Sequence, residues 1–229
     1  ARLEDAFQRQ SSFTANAAHE LKTPLTIMNT GVQVLLADRS ATLVDYQENG
    51  RELLDSIDRL AKIVDSLLVL AANSDPAHDT DEDGMLEPLM EAIQGEVSAQ
   101  LDERGMSCSV VCGELSVTAD PALLYRVFFN LMENACKYGK QDGSICVTGS
   151  RSNDGIYICV LDDGPGIPQE HIPYIFDAFY RVDKSRSREI GGAGLGLSIV
   201  KTMVESIGGT ISAESDGGAG ICFMIFFPD

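Results

Sequence analysis

Four sets of residues in this sequence could do chemistry, and their order along the chain matters as much as their identity. His19-Glu20 lies inside Phe13-Thr14-Ala15-Asn16-Ala17-Ala18-His19-Glu20-Leu21-Lys22-Thr23-Pro24-Leu25. Asn130, Asn134 and Lys137 recur at helical spacing. Asp162-Asp163-Gly164-Pro165-Gly166 ends a β-type run, and Gly191-Gly192-Ala193-Gly194-Leu195-Gly196 opens an amphipathic one. A neutral imidazole is a nucleophile near pH 7. Glu20 can accept its other ring proton or orient the ring, which frees the attacking nitrogen. The plain alternative is a surface histidine on a charged helix.

The downstream sets describe a different kind of site. On a helix, Asn130, Asn134 and Lys137 fall at about 0°, 40° and −20°, beside the apolar sector of Leu124, Val127, Phe128, Leu131 and Ala135. Such a stripe suits a cleft wall. Amide oxygens suit Mg²⁺ shared with phosphates, and the lysine offers a point charge. Asp162 at a strand end can accept a hydrogen bond from an exocyclic amine, while Gly164 and Gly166 let backbone approach a flat ring. The glycines from 191 to 196 present free N–H groups at a helix start. They match neither a P-loop nor a dinucleotide-binding fingerprint. Surface asparagines, a simple turn and a flexible connector are the alternatives for these sets taken singly. Together, an exposed imidazole and a separate nucleotide-type site imply phosphoryl transfer to the chain's own histidine.

The elements that must position these groups fall in two parts. Leu3, Phe7, Gln10, Thr14, Ala17 and Leu21 alternate by four and three, and Leu25, Met28, Val32 and Leu35 resume the pattern. The two successive fours at 17, 21 and 25 are a slip next to Pro24, a weak point in the helix. A second stripe, Leu53, Ile57, Leu60, Val64 and Leu67, follows a short loop, so the helices form an antiparallel hairpin. Two such hairpins meeting as a dimeric four-helix bundle would bury both stripes. Residues 74–84, with His78, read as an acidic polar linker between a helical domain at 1–73 and a second domain at 85–229. That domain is expected to be an α/β sandwich, one mixed sheet with helices on one face. Its helices are expected at 88–104, 121–138 and 195–207. Its strands are expected at 107–112, 115–118, 144–150, 156–162, 210–215 and 220–227.

Composition narrows the function. A formal charge of −18 disfavours nucleic-acid binding, which needs a basic footprint. Arg181, Lys184, Arg186 and Arg188 crowd between the two glycine motifs, as a solvated loop or a phosphate-facing lid. The six cysteines, Cys108, Cys112, Cys136, Cys146, Cys159 and Cys222, lie mostly in apolar runs without a Cys-x-x-Cys pair, and are expected to be free, buried thiols. His171, ahead of an apolar turn, reads as a surface or capping residue. No run approaches the ~20 apolar residues of a membrane span. No signal peptide is visible. The first residue already lies in a helical pattern, so the sequence reads as a fragment of a longer protein.

In this order the motifs resemble the cytoplasmic core of two-component sensor histidine kinases, over essentially the whole chain. His19 to Leu25 resembles the H box, Asn130 to Tyr138 the N box and Asp162 to Gly166 the G1 box. Phe176-Asp177-Ala178-Phe179-Tyr180-Arg181 resembles the F box and Gly192 to Gly196 the G2 box. The resemblance implies a helical-hairpin dimer carrying Bergerat-type ATP domains, with ATP and Mg²⁺ as cofactors. By motif match, His19 takes the γ-phosphoryl group, Glu20 is its base, and Thr23 helps place water for dephosphorylating a response regulator. Asn130 and Asn134 would hold Mg²⁺, and Lys137 and Tyr138 would meet phosphates or ribose. Asp162, with Gly164 and Gly166, would bind adenine. Arg181, Gly192, Gly194, Leu195 and Gly196 would belong to the nucleotide site and its lid, at 163–196, with Phe176 and Phe179 as anchors. The implied partners are a second copy and a receiver domain. The full-length protein would sit in the bacterial membrane through segments upstream of this cytoplasmic part. Ala178 and Ala18 depart from the proline and serine common in the family, without removing a catalytic group.

Overall fold

The computed structural model describes residues 2–71, 83–183, 192–215 and 217–229, with side chains from residue 10 onward. The expected linker over 74–82, His78, and Lys184, Arg186 and Arg188 of the basic run lie outside the described residues. The chain divides into two units, Ala1–Ala71 and Ala72–Asp229.

The first unit is a hairpin of α1 (Arg2–Ala37) and α2 (Leu43–Ala71). Thr42 caps α2: its hydroxyl and Asp45 exchange bonds in a capping box, with Thr42 N–H donating to Asp45 Oδ2 at 2.7 Å. α1 runs unbroken through Pro24, which is buried. Proline has no N–H, so the Glu20 carbonyl lacks its usual donor within the helix.

The hairpin by itself covers only part of each expected stripe. On α1 Pro24 is buried, and Phe13, Ala17, Glu20, Leu21, Thr23, Met28, Gly31 and Leu35 are partly covered, with successive steps of four at 20, 24 and 28. On α2 they include Leu53, Ser56, Leu60, Ile63, Leu67 and Leu70. Leu25, Val32, Ile57 and Val64, which belong to the stripes expected to be buried by a dimeric four-helix bundle, are exposed in the single chain, Leu25 and Ile57 by about half. With Leu36, Leu54 and Leu68 they form a second apolar line on each helix. Periodicity finds apolar positions, but when a helix has two such lines it does not say which one meets the neighbouring helix.

The second unit has β1 (Asp83–Met85), α3 (Leu86–Glu103), β2 (Ser107–Val111), β3 (Ser116–Thr118), α4 (Pro121–Tyr138), β4 (Ser144–Arg151) and β5 (Gly155–Asp162). After a 3₁₀ turn at Ile172–Tyr174 come α5 (Gly196–Ser206), β6 (Thr210–Glu214) and β7 (Ile221–Pro228). The main sheet has order β2-β4-β5-β7-β6, with β2 parallel to β4 and every other pair antiparallel. The expected single mixed sheet needs one correction. β3 leaves it and pairs with β1, which sequence reading missed, in a two-stranded ladder.

Alternation sorts the sheet into two faces. Ile145, Val147, Ile156, Ile158, Val160, Phe223, Ile225 and Phe227 are buried under the helices. α4 lies between α3 and α5 and buries Leu124, Val127, Phe128, Leu131 and Ala135. Each large side chain removed from water there contributes about 2 kcal/mol. The opposite face is half exposed and holds Cys159 and Cys222, which are joined as a disulfide with Cα atoms 6.3 Å apart. This corrects the expectation of free thiols for that pair. Odd-numbered β5 residues face outward, so Cys159 and Cys222 meet on neighbouring strands instead of entering the core. The remaining four cysteines are free.

One arginine holds the end of α4 in place. Arg104, just beyond α3, donates to the Cys136, Lys137 and Gly139 carbonyls, the last two at 2.7 Å. A cation here also opposes the negative end of the helix. We expect Arg104→Ala to cost about 2 kcal/mol, read as a lower urea midpoint with an unchanged slope. An unchanged midpoint would mean that water replaces the guanidinium without loss.

Candidate functional site

In the hairpin unit, His19 is exposed on the outer sector of α1, as expected. Glu20, one residue on, belongs to the covered seam, and its Oε2 meets Nη2 of Arg59 on α2 at 3.3 Å. Sequence reasoning missed Arg59, because no local spacing ties residue 59 to residue 20. Thr23 turns its hydroxyl back to the His19 carbonyl at 3.0 Å, within the same helical turn.

In the second unit, the cleft wall forms where α4 meets the start of α5. Asn130 and Asn134 sit at the margin of the buried sector. A methyl placed on Gly196 would lie 3.6 Å from Asn130 Oδ1 and 3.9 Å from Asn134 Oδ1. The two amides and the first residue of α5 thus share one corner. Asn130 donates Nδ2 to the Arg126 carbonyl at 2.7 Å, which leaves its Oδ1 toward that corner. Lys137, one turn on, is engaged by Glu133 at 2.8 Å. Tyr138 lies beside Gly192, where an added methyl would come within 3.3 Å of the phenol oxygen.

Asp162 is the last residue of β5 and lies on the helix-facing side, 5% exposed. Its Oδ1 accepts the Gly164 N–H at 2.8 Å. Burial pushes the carboxyl above its ordinary range, and the Asp163 charge adds to this, while N–H bonds from Gly164 and Ile221 pull it back. Gly164 packs against the Tyr138 carbonyl, 3.0 Å from where a methyl would stand. Gly166, at φ +69°, lies over Ser215, whose Oγ accepts from Ile167 N–H and donates to the Gly220 carbonyl. The two ends of the turn are pinned.

The segment before the second glycine motif is also tied down. Phe179, at φ +66°, donates its N–H to the Gly194 carbonyl at 2.8 Å. Gly194 itself, at φ +73°, has no room for a side chain beside Phe179 and Tyr180. Phe176 stands edge-on to Phe223 of β7, with centroids 6.4 Å apart. His171, read as a surface or capping residue, stands at the cap position of the 3₁₀ turn, and its Nδ1 also shares a 2.7 Å bond with the Tyr180 hydroxyl. Arg181 is half-buried at the end of this segment. Leu195 is buried ahead of α5, and the N–H groups of Gly196, Leu197 and Ser198 lie in the first turn of that helix.

Chemically, the second unit offers amide oxygens beside a helix N-terminus and a buried carboxylate at a strand end. Among the described residues no cluster of three His, Cys, Asp or Glu side chains could hold a metal alone. Two hard amide oxygens fit an ion that takes its remaining ligands from phosphates and water.

Known proteins share both units. Residues 9–75 match the His Kinase A (phospho-acceptor) domain, and residues 119–229 match the histidine kinase-, DNA gyrase B- and HSP90-like ATPase family. The sensor histidine kinase CusS of Escherichia coli O6:H1 is 36% identical over 99% of this chain and 47% of its own length. The sensor protein CiaH of Streptococcus pneumoniae is 32% identical over 97% and 50%. The chain thus spans about half the length of these curated relatives. The Acinetobacter baumannii histidine kinase AdeS has the same fold, at TM-score 0.75 and 22% identity over 92% of this chain and 97% of that one. The histidine kinase ThkA, solved with the response regulator TrrA, aligns at TM-score 0.70 and 21% identity over 99% of this chain and 66% of that one. Among the described residues, no helix is long and apolar enough to cross a membrane.

The raised carboxyl of Asp162 has a measurable consequence. The native group holds its proton at pH values where the unfolded one has lost it. Stability therefore falls as pH rises from the ordinary carboxylate range through the raised value. Urea titrations should show this decline in the wild type, and Asp162→Asn should flatten it. Parallel profiles would assign the decline to another group.

Proposed function

Because this chain belongs to the two-component sensor histidine kinases, as their catalytic core, we propose that it transfers the γ-phosphoryl group of ATP to His19. The group then passes to an aspartate of a response-regulator receiver domain. The observation that carries this reading is the shared corner of Asn130, Asn134 and Gly196, in a chain that also exposes His19 on a phospho-acceptor hairpin. The complex of ThkA with the response regulator TrrA supports the same class of protein partner for this chain.

In the proposed reaction, one His19 ring nitrogen attacks the γ-phosphorus and the bond to the bridging oxygen of ADP breaks. Glu20 takes the proton from the other ring nitrogen. Such a transfer needs alignment and charge stabilisation more than covalent help. Asp162 accepts from the adenine amine, Gly164 and Gly166 admit the ring, and the N–H groups at Gly192, Gly194 and Gly196 face the phosphates. Leu195 anchors the start of α5. Lys137 and Arg181 would meet phosphate charge, the lysine by exchanging Glu133 for it, and Tyr138 would line the ribose side. Asn130 and Asn134 would hold Mg²⁺, which supplies charge neutralisation to the phosphates when bound. A phosphatase step on the regulator, with Thr23 helping to place water, completes the proposal.

We further propose a homodimer. Leu25, Val32 and Leu36 on α1, with Leu54, Ile57, Val64 and Leu68 on α2, are the apolar line a second hairpin would cover in a four-helix bundle. Replacing both Ile57 and Val64 by Glu should turn a dimer into a monomer in light scattering. A dimer that survives both charges would remove this interface.

Labelling with γ-labelled ATP tests the chemistry. Acid-labile, alkali-stable label should appear on the wild type, depend on Mg²⁺ and be absent in His19→Gln. Asn134→Ala should slow labelling by on the order of a hundredfold. Label that persists in His19→Gln would overturn the assignment.

A further inference from the structure

We propose that Arg59 is a positioning residue that restrains Glu20, and that releasing it speeds autophosphorylation. This rests on the reading of His19 as phosphoacceptor and Glu20 as its base. Neighbouring residues on a helix project about 100° apart. His19 faces solvent, whereas Glu20 points into the seam with α2 and is 17% exposed. There its Oε2 accepts from Arg59 Nη2 at 3.3 Å. The Arg59 side chain is 29% exposed, and its Nε is buried without a hydrogen-bond partner among the described residues.

An arginine with one buried donor unsatisfied gains from keeping the carboxylate it has. Glu20 is therefore shared between two tasks. Drawn toward α2, it neutralises a partly buried cation. Moved toward the outer sector of α1, it can take the ring proton of His19. Pro24, one turn on, has no N–H to add to the helical ladder, which interrupts its regular bonding at the turn that must adjust. The pair acts as a restraint on catalysis, set within one hairpin.

A double-mutant cycle tests this on the full chain. Arg59→Gln should raise the single-turnover rate of His19 labelling about three- to fivefold, the range open to a partly exposed ion pair. Arg59→Lys, which keeps the charge but loses the fork, should fall between the two. In a Glu20→Gln background, whose slow labelling is still measurable, Arg59→Gln should change the rate less than about 1.5-fold, because the restraint acts only through the carboxylate. Thermal midpoints of all variants report on folding. An Arg59→Gln rate equal to or below wild type, in a folded dimer, would overturn the proposal. So would an equal acceleration with and without the Glu20 carboxylate. Absence of label on wild-type His19 is a different result, and it would overturn the underlying assignment itself.

Discussion

The proposed nucleotide site depends on how α4 buries itself. Leu124, Val127, Phe128, Leu131 and Ala135 must face the sheet, and that burial fixes the rotation of the helix about its axis. Asn130 and Asn134 then stand at the border between core and solvent, where α5 begins. A rotation that brought them fully outward would expose Phe128 and Leu131. A rotation inward would bury two amides with too few partners. The position of the proposed Mg²⁺ ligands is thus a by-product of core packing, and Arg104 holds the helix end where the apolar sector runs out.

The sheet imposes a comparable constraint on Asp162. Alternation along β5 puts Ile156, Ile158 and Val160 under the helices, and Asp162 continues the same series one step past the last apolar residue. Its carboxyl is therefore buried from the strand side while the chain turns at Gly164. The cost of burying it is offset in part by N–H groups of Gly164 and Ile221. The same alternation sends Cys159 and Cys222 to the outer face, far in character from the core their neighbours form.

The hairpin solves a different problem. Each helix must present one apolar line to its partner in the hairpin and a second line outward, while a sector of α1 remains polar enough to expose His19. Pro24 and Gly31, poor helix residues, both fall on the inner line. Gly31 lets Asn49 of α2 approach closely, where a side chain would collide with its amide. Glu20 is a charged member of that line, and its ion pair with Arg59 helps make its burial tolerable.

What was legible in sequence came from local signals. Helix and strand periods, the Asp120-Pro121 cap and the ordered boxes around His19, Asn130, Asn134, Asp162 and the glycines are written in neighbouring residues. They were enough for the fold class and the family, and they named the candidate site positions. Other features depend on pairs distant in sequence: Arg59 with Glu20, Arg104 with the end of α4, β1 with β3, His171 with Tyr180 and Cys159 with Cys222. The choice of seam on α1 belongs with them, since two apolar lines satisfy the same period. Sequence alone determined which residue types recur and at what spacing, because backbone geometry is local. Only tertiary structure decided which faces meet and which charges are paired, because those outcomes depend on side chains brought together from far apart in the chain.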